Sequence, residues 1–407
     1  MREKYTVVLG LGISGKAALA FLLHRRERVI GVDRHFSELP EGAQFYPDQN
    51  GLLPIPWVDV KMVIVSPGIP SHHPLLRQAL KQGIEVVGEV EFACRHLSNR
   101  VVGVTGSNGK TTTTLLITHV LNFSGVKTRA LGNVGVGLST YLIHPDPDEI
   151  IVLELSSFQL ETLRARCLDW ALVINISPNH LDRHPSMEEY AMIKLSICNC
   201  LKEGGELFVG EQVMQEYPCR ATVYDSLLPR ETKQNLRAAF AICSQFGITE
   251  KEFYAACLTF CPPPHRMEKL SQINGVTYYN DSKSSNVESV MHAVRALQGP
   301  IVLIVGGTDK GTTYVPWISC FQGQVKQIVA YGVAREKIAK EMGGNFPIEV
   351  VELFADAVKR ASSIAQEGDT VLLSPGCSSY DQFRNFEHRG DVYRELLKTL
   401  KFSQVNA

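Results

Sequence analysis

The sequence predicts an α/β protein built of three domains, and three observations carry that prediction. Short β-rich runs alternate with helical patterns along the whole chain. Two of those runs end in glycine-rich turns that open a helix, and two seams break the alternation.

The runs are TVVLG, RVIGVD, MVIVSPG, IEVVG, VVGVTG, IIVLELS, ALVINIS, ELFVG, VTYYND, IVLIVGG, QIVAYG and TVLLSPG. Each closes on Gly, Ser, Asp or Asn before a helical stretch, the pattern of parallel sheets whose ligands sit at the carboxyl ends of strands. The first seam lies near Cys94 to Arg100, where the helix EVEFACRHL runs into a new strand. The second is CPPPH, Cys261 to His265, whose three consecutive prolines fix φ and remove donors. They divide the chain into residues 1–95, 96–262 and 263–407.

The 407 residues, 44% of them hydrophobic, are enough for two or three cores. Lys and Arg number 41 against 42 Asp and Glu, so a net charge of -1 gives no footprint for nucleic acid or an anionic membrane. The start, MREKYTVVLGLGISG, lacks the long apolar region and small-residue cleavage site of a signal peptide. No stretch reaches the roughly 18 apolar residues of a spanning helix. A cytoplasmic location is expected. The ten cysteines contain no C-x-x-C, and Cys198 and Cys200 would fall on different faces of a helix, so reduced core thiols are expected and a zinc site is not.

In the N-terminal block, Gly10, Gly12 and Gly15 form G-x-G-x-x-G between a strand and the helix KAALAFLLHR. Asp33 ends the next strand at about the distance where a carboxylate meets a ribose hydroxyl. The pattern predicts a Rossmann-like domain. Its glycines suit any diphosphate, and also suit a helix that simply packs tightly on a sheet.

In the central block, GVTGSNGKTTTT places Gly106, Ser107, Asn108, Gly109, Lys110, Thr111 and Thr112 between the strand VVGVT and a helix. Backbone N–H groups of such a turn and the positive end of the helix hold phosphate oxygens. Lys110 would neutralise β/γ charge and the Thr111 hydroxyl reaches Mg²⁺. Val104 stands at the position of the first glycine in G-x-x-x-x-G-K-[ST], so the loop is a variant within a P-loop ATPase-like parallel-sheet domain. Glu154, at the tip of the apolar strand DEIIVLEL, is where a Mg²⁺ ligand is expected. In ALVINISPNHLDRHP a further strand ends in a polar turn with His180 and Asp182; spacing alone makes His180 a structural hydrogen-bonder and Lys194 a surface lysine.

Together with these stretches, GNVG (Gly132 to Gly135), ELSSFQL, PHRME, NDSKSSN, GGTDKG and LLSPGCSSYDQFRNFEHRG keep one order along nearly the whole chain. In that set the chain resembles the ATP-dependent Mur ligases of peptidoglycan synthesis, and NDSKSSN, ELSSFQL and the SPG at Ser66 to Gly68 are similar to the D-glutamate-adding branch. Folylpolyglutamate synthases share the phosphate loop but not the carboxyl-terminal set.

The resemblance implies a three-domain ligase with a Rossmann-like C-terminal α/β domain. ATP converts the carboxylate of UDP-N-acetylmuramoyl-L-alanine to an acyl phosphate, which the D-glutamate amine attacks. It implies that the first glycine loop holds UDP rather than a nicotinamide, with Ile13, Ser14, Asp33, Arg34 and Gly68 lining the uridine site. Arg34 and His35 depart from the family's usual Thr-Arg pair. Asn133, Ser156 and Gln159 would meet the lactyl-alanyl stem; their alternative reading is turn capping. Asn235, Arg266 and Asp281 would lie on the ATP side. Lys283, Ser285, Ser379 and Phe386 would form the D-glutamate site, with Lys310 near the reacting groups and Asp309 orienting it.

Two Mg²⁺ sites follow from the same resemblance: Thr111 and Glu154 at the first, His180 and a carbamylated Lys194 at the second. It also implies a monomer with small-molecule substrates and closure between domains. The segment from Gly205 to Asn235 is short for the family, and Glu231 and Thr232 replace its usual His-Asn. Gly376 and Tyr380 are further departures that leave Ser379 in place. A nicotinamide-binding module would explain only Gly10 to Gly15 and Asp33, and a nucleotide switch only the phosphate loop.

Overall fold

The structure, a computed structural model, describes residues 4–35, 39–49, 52–53, 55–180 and 183–405, with side chains described as far as residue 400. Three sheets carry it. The first holds β1 (Tyr5–Leu9), β2 (Val29–Asp33), β3 (Gln44–Pro47), β4 (Val60–Val65) and β5 (Glu85–Gly88), parallel in the order β3-β2-β1-β4-β5. The second holds β6 (Val101–Thr105), β7 (Thr128–Gly132), β8 (Ile150–Glu154), β9 (Leu168–Val173), β10 (Leu201–Val209) and β11 (Thr222–Val223), parallel in the order β11-β10-β9-β6-β8-β7.

The third holds β12 (Glu268–Ile273), β13 (Val276–Asn280), β14 (Ile301–Gly306), β15 (Val325–Tyr331), β16 (Ile348–Val350) and β17 (Thr370–Gly376), ordered β12-β13-β17-β14-β15-β16. Here the expectation of parallel sheets needs a correction, because β12 pairs antiparallel with β13. Asn274 and Gly275, both at positive φ, join the two strands in a tight hairpin, and no crossover helix is needed.

Every run read as a strand is one, and the strands missed (β3, β7, β11, β12 and β16) all lie at sheet edges. Inner strands are buried on both faces: β6, β8, β14 and β17 are buried at every residue. Edge strands such as β3 and β16 have no fully buried residue and so no continuous apolar run. All ten thiols are free; Cys198 is exposed rather than in the core, while Cys200 is buried.

The chain divides into two compact units. The first comprises Met1–Ile176 with Glu188–Phe260, and the second Ser177–Met187 with Cys261–Ala407. Within the first unit, two buried carboxylates fasten the N-terminal sheet's last helix, Glu89–Cys94, to the central block. Glu89 Oε1 accepts from Ser139 N at 2.7 Å, and burial holds its carboxyl above the usual range. Glu91 Oε2 accepts from Arg164 N and Ala165 N, each at 2.7 Å. Phe21 packs edge-on to Phe92 beside them, at 5.9 Å between centroids.

Removing Glu91 would strand two backbone N–H groups, both at least partly buried, and take away one of the two carboxylates that pair with Arg95. Glu91→Ala is expected to destabilise the protein by about 3 kcal/mol in urea unfolding. Glu85→Ala, which removes the same arginine's half-exposed partner, costs less than about 1 kcal/mol.

Candidate active site

In the N-terminal sheet the strand order reverses direction between β1 and β4, and the glycine loop lies at that switch point. Its glycines do different work. A Cβ on Gly15 would stand 1.8 Å from Gly10 O, so that glycine lets the helix Ile13–His24 approach the loop. Gly10 has φ +85° and sits against Ser66 and Ile69. A Cβ on Gly12 would meet nothing within 4 Å, and neither would one on Gly68. Their bareness leaves open space at the strand ends, as a ligand's close approach requires.

Asp33 is spent largely on the loop itself: Oδ2 accepts from Leu11 N at 2.6 Å and Oδ1 from His35 N at 3.2 Å. Arg34 is mostly exposed, 3.9 Å from Asp48, whose carboxylate also takes His73 Nε2 at 2.9 Å. Ile13 is 81% exposed at the start of the helix, with Ser14 half-buried beside it.

In the central sheet β6 ends between β8 and β9, and the phosphate loop follows it. Gly106 and Gly109 take φ of +154° and +79°, and Gly109 caps the helix Lys110–Phe123, in whose first turn Thr111 and Thr112 lie half-buried. Lys110 Nζ donates to Gly106 O at 2.7 Å and to Ser107 O at 3.0 Å. Lys194, 1% exposed, donates to the same Gly106 O at 2.8 Å, with its ammonium 4.6 Å from the centre of the Tyr190 ring. Tyr190 OH in turn contacts Ser107 Oγ at 3.1 Å. Burial, and then the charge of Lys110, hold the Lys194 amine well below the usual lysine range. The expected surface lysine is therefore a core one.

Glu154, 1% exposed, ends β8 in register with Val104. Its Oε1 accepts from Asn133 Nδ2 at 2.9 Å, while Oε2 is buried without a partner. A buried carboxylate oxygen with no donor is costly unless a cation meets it, so Glu154 fits a metal ligand. Among the described residues no group of three or more His, Cys, Asp or Glu is placed to hold a metal. Ser156 and Gln159 close a capping box on the helix Ser157–Leu160, so turn capping is at least part of their work.

One residue without an assigned role proves central. Asn175, just past β9, accepts from Asn108 N through Oδ1 at 2.9 Å, and its carbonyl accepts from Ser107 N at 2.9 Å. Its Nδ2 donates to Gln234 Oε1 at 3.1 Å, linking the loop to the helix Gln234–Cys243. Asn235 on that helix lies against Gly109, where a Cβ would come within 2.5 Å of Asn235 Oδ1. Asparagine after a strand reads as a turn residue, and nothing local marked it. Thr232 contacts Tyr254 OH at 3.3 Å, and Glu231 is exposed.

In the second unit the ends of β13, β17 and β14 converge, with Asn280 opposite Leu373 and Gly306 opposite Gly376. Lys283 Nζ lies 3.6 Å from the Phe386 ring centre, and Lys310 Nζ donates to Ser285 Oγ at 3.3 Å. Ser379 is 4% exposed and Arg266 half-buried. Asp309 does not orient Lys310 by a direct bond: it takes Lys337 Nζ at 2.9 Å and Tyr314 OH at 2.9 Å. Gly376 has its reason, since a Cβ there, at φ +69°, would come within 2.7 Å of the Trp317 ring. Tyr380 is 74% exposed. His180 sits at φ +56° in the segment Ser177–Met187, its carbonyl accepting from Arg183 N and His184 N; Asp182 lies outside the described residues.

Asp281 is buried and its oxygens are occupied from within: Oδ1 by Met267 N at 3.1 Å, Oδ2 by Ser284 Oγ and by Ser374 Oγ at 2.8 Å. Burial pushes its carboxyl up to about 6 from an ordinary 3.8 despite those bonds.

Three matches to known families cover most of the chain. The Mur ligase MurD-like N-terminal domain matches residues 4–88, the Mur ligase middle domain 104–221, and the Mur ligase glutamate ligase domain 265–377. The UDP-N-acetylmuramoylalanine–D-glutamate ligase of Protochlamydia amoebophila is 42% identical over 98% of both chains. The ligase of the same description from Chlamydia caviae is 35% identical over 100% of both. Among solved structures, the UDP-N-acetylmuramate-alanine ligase of Thermotoga maritima has a TM-score of 0.58 at 14% identity, covering 98% of this chain and 100% of that one. The MurF ligase of Thermotoga maritima, solved with ADP, has a TM-score of 0.60 at 15% identity, covering 98% and 96%.

Two outcomes are expected. Asn175→Ala frees the phosphate loop from β9 and lowers kcat/KM for ATP by roughly ten- to a hundredfold in steady-state assays, with little change in KM for the other substrates. Because folded Asp281 titrates near 6 rather than 3.8, its favourable share of stability is whole below about pH 4 and lost as pH rises through 6. Denaturation of Asp281→Asn should show stability relative to wild type rising by up to about 3 kcal/mol from about pH 4 to about pH 7.

Proposed function

The chain belongs to the Mur ligase family, and from that membership we propose that it joins D-glutamate to UDP-N-acetylmuramoyl-L-alanine, an ATP-dependent C–N ligation in peptidoglycan precursor synthesis. ADP and phosphate are the other products. The proposal rests most on one observation: Lys110, Lys194 and Glu154 gather, partly or wholly buried, around a phosphate loop held open by Asn175.

A carboxylate and an amine do not condense in water at useful rate, so the muramoyl-alanine carboxylate is first phosphorylated by ATP, the amine then attacks the acyl carbon, and phosphate leaves the tetrahedral adduct as the amide forms. The loop amides from Gly106 to Thr112 bind the transferring phosphates and Lys110 neutralises them. Asn235, Arg266 and Asp281 serve the nucleotide. Ile13, Ser14, Asp33, Arg34 and Gly68 take the uridine diphosphate, and the open space at Gly12 admits its phosphates. Asn133, Ser156 and Gln159 face the acceptor stem.

Magnesium, when bound, screens the phosphates from one another; Thr111 and Glu154 would hold one ion, and His180 with Lys194 a second. Lys194 suits carbamylation, since CO₂ reacts with a neutral amine and its surroundings favour the neutral form. Lys283, Ser285, Ser379 and Phe386 bind D-glutamate, with Lys310 beside the reacting groups. The balanced net charge fits small-molecule substrates, and we read the enzyme as a cytoplasmic monomer. Among the described residues no helix is long and apolar enough to cross a membrane.

Phosphate release from ATP is expected only when both UDP-N-acetylmuramoyl-L-alanine and D-glutamate are present, with L-glutamate inactive. Lys110→Ala should lower kcat on the order of a hundred- to a thousandfold. Release without the muramoyl substrate, or with L-glutamate and a folate, would sink the assignment.

A further inference from the structure

Among the described residues of the second unit, Arg389 is the one Lys or Arg side chain that is fully buried, at 0% exposed. Its contacts are all with neutral oxygens. Nε donates to Ser282 Oγ at 3.0 Å and Nη2 to Ser282 O at 2.7 Å. Nη1 donates to Cys377 O at 3.2 Å and Tyr331 OH at 3.4 Å. Among the described residues no carboxylate pairs with it. A guanidinium taken out of water with no counterion is costly, and such an arrangement persists where the charge or its fork is needed.

Two of the segments the fork bonds carry a residue of the proposed amino-acid site, and the third, at Tyr331, is the end of β15. Ser282 precedes Lys283, and its Oγ also donates to Phe386 O at 2.8 Å. Cys377 lies two residues before Ser379. Gly307, three residues before Lys310, is bare where a Cβ would stand 3.3 Å from Nη1. Phe386 lies one turn back on Arg389's own helix, Phe386–Val405. One buried guanidinium thus ties together the ends of β13, β15 and β17 and lies against the backbone just past β14.

We propose that Arg389 is a positioning residue for D-glutamate, holding Lys283, Ser379 and Phe386 in register while its uncompensated charge selects an amino acid with two carboxylates. This rests on the ligase reading given above. Ser282 and Cys377, which it bonds, stand one and two residues from Lys283 and Ser379, a chain reach of less than about 10 Å, and at that range an unpaired charge at an effective dielectric near 20 shifts the affinity for a net anion on the order of tenfold. Lysine would keep the charge and lose the fork; glutamine would lose both.

The test compares D-glutamate with D-glutamine, each as substrate or competitive inhibitor of the purified enzyme, in wild type, Arg389→Lys and Arg389→Gln, with thermal melts as the control for folding. In Arg389→Gln the preference for D-glutamate over D-glutamine is expected to fall about tenfold. In Arg389→Lys it stays within about twofold of wild type while KM for D-glutamate rises roughly fivefold and KM for ATP is unmoved. An unchanged preference in Arg389→Gln, or KM values for ATP and D-glutamate rising together, overturns the proposal. Should Arg389→Gln not fold, Arg389→Lys decides alone, and an unchanged KM for D-glutamate refutes it. A wild type that does not use D-glutamate refutes the ligase reading instead.

Discussion

Two lysine amines converge on one backbone oxygen, Gly106 O, Lys110 at 2.7 Å and Lys194 at 2.8 Å. Burial, and then the nearby charge of Lys110, weaken the hold of the Lys194 amine on its proton. The loop therefore stands in an electrostatic condition that an anion relieves. Glu154, Asn133, Asn175 and Tyr190 are arranged around that condition. The carboxylate supplies partial compensation from β8, Asn175 ties the loop to β9, and Tyr190 offers its ring face to the Lys194 ammonium. Phosphate binding and lysine chemistry are in this way one problem rather than two.

The second unit solves a related problem with the opposite economy. Its buried acid, Asp281, is satisfied by a backbone amide and two serine hydroxyls rather than by a cation. Its buried base, Arg389, is satisfied by two carbonyls and two hydroxyls rather than by an acid. Pairing the two would have neutralised the strand ends. Keeping them apart fixes the loops by directional bonds that do not depend on charge cancellation.

Most of the fold was legible, and the reason is burial. A strand covered on both faces must be apolar at every residue, so β6, β8, β14 and β17 announce themselves. Strands at an edge carry mixed residues, and β3, β7, β11, β12 and β16 passed for loops. The hairpin that makes the third sheet mixed was invisible for the same cause. Site residues divide similarly. Lys110 and Glu154 stand at strand ends in patterns whose chemistry is local, whereas Asn175 and Arg389 act through contacts with segments 67 and 107 residues away.

The sequence alone determined the α/β class, the positions of both glycine turns and the order of the motifs, because each depends on periodicity and on backbone freedom within a dozen residues. The three-dimensional structure decided what those residues do to one another. Only there does a lysine in an ordinary amphipathic helix become a buried amine beside a second cation, does Gly12 differ from Gly15, and does Arg389 become the tie between three strand ends. Burial and the charges that share it are properties of packing, and packing is set by residues far apart in the chain.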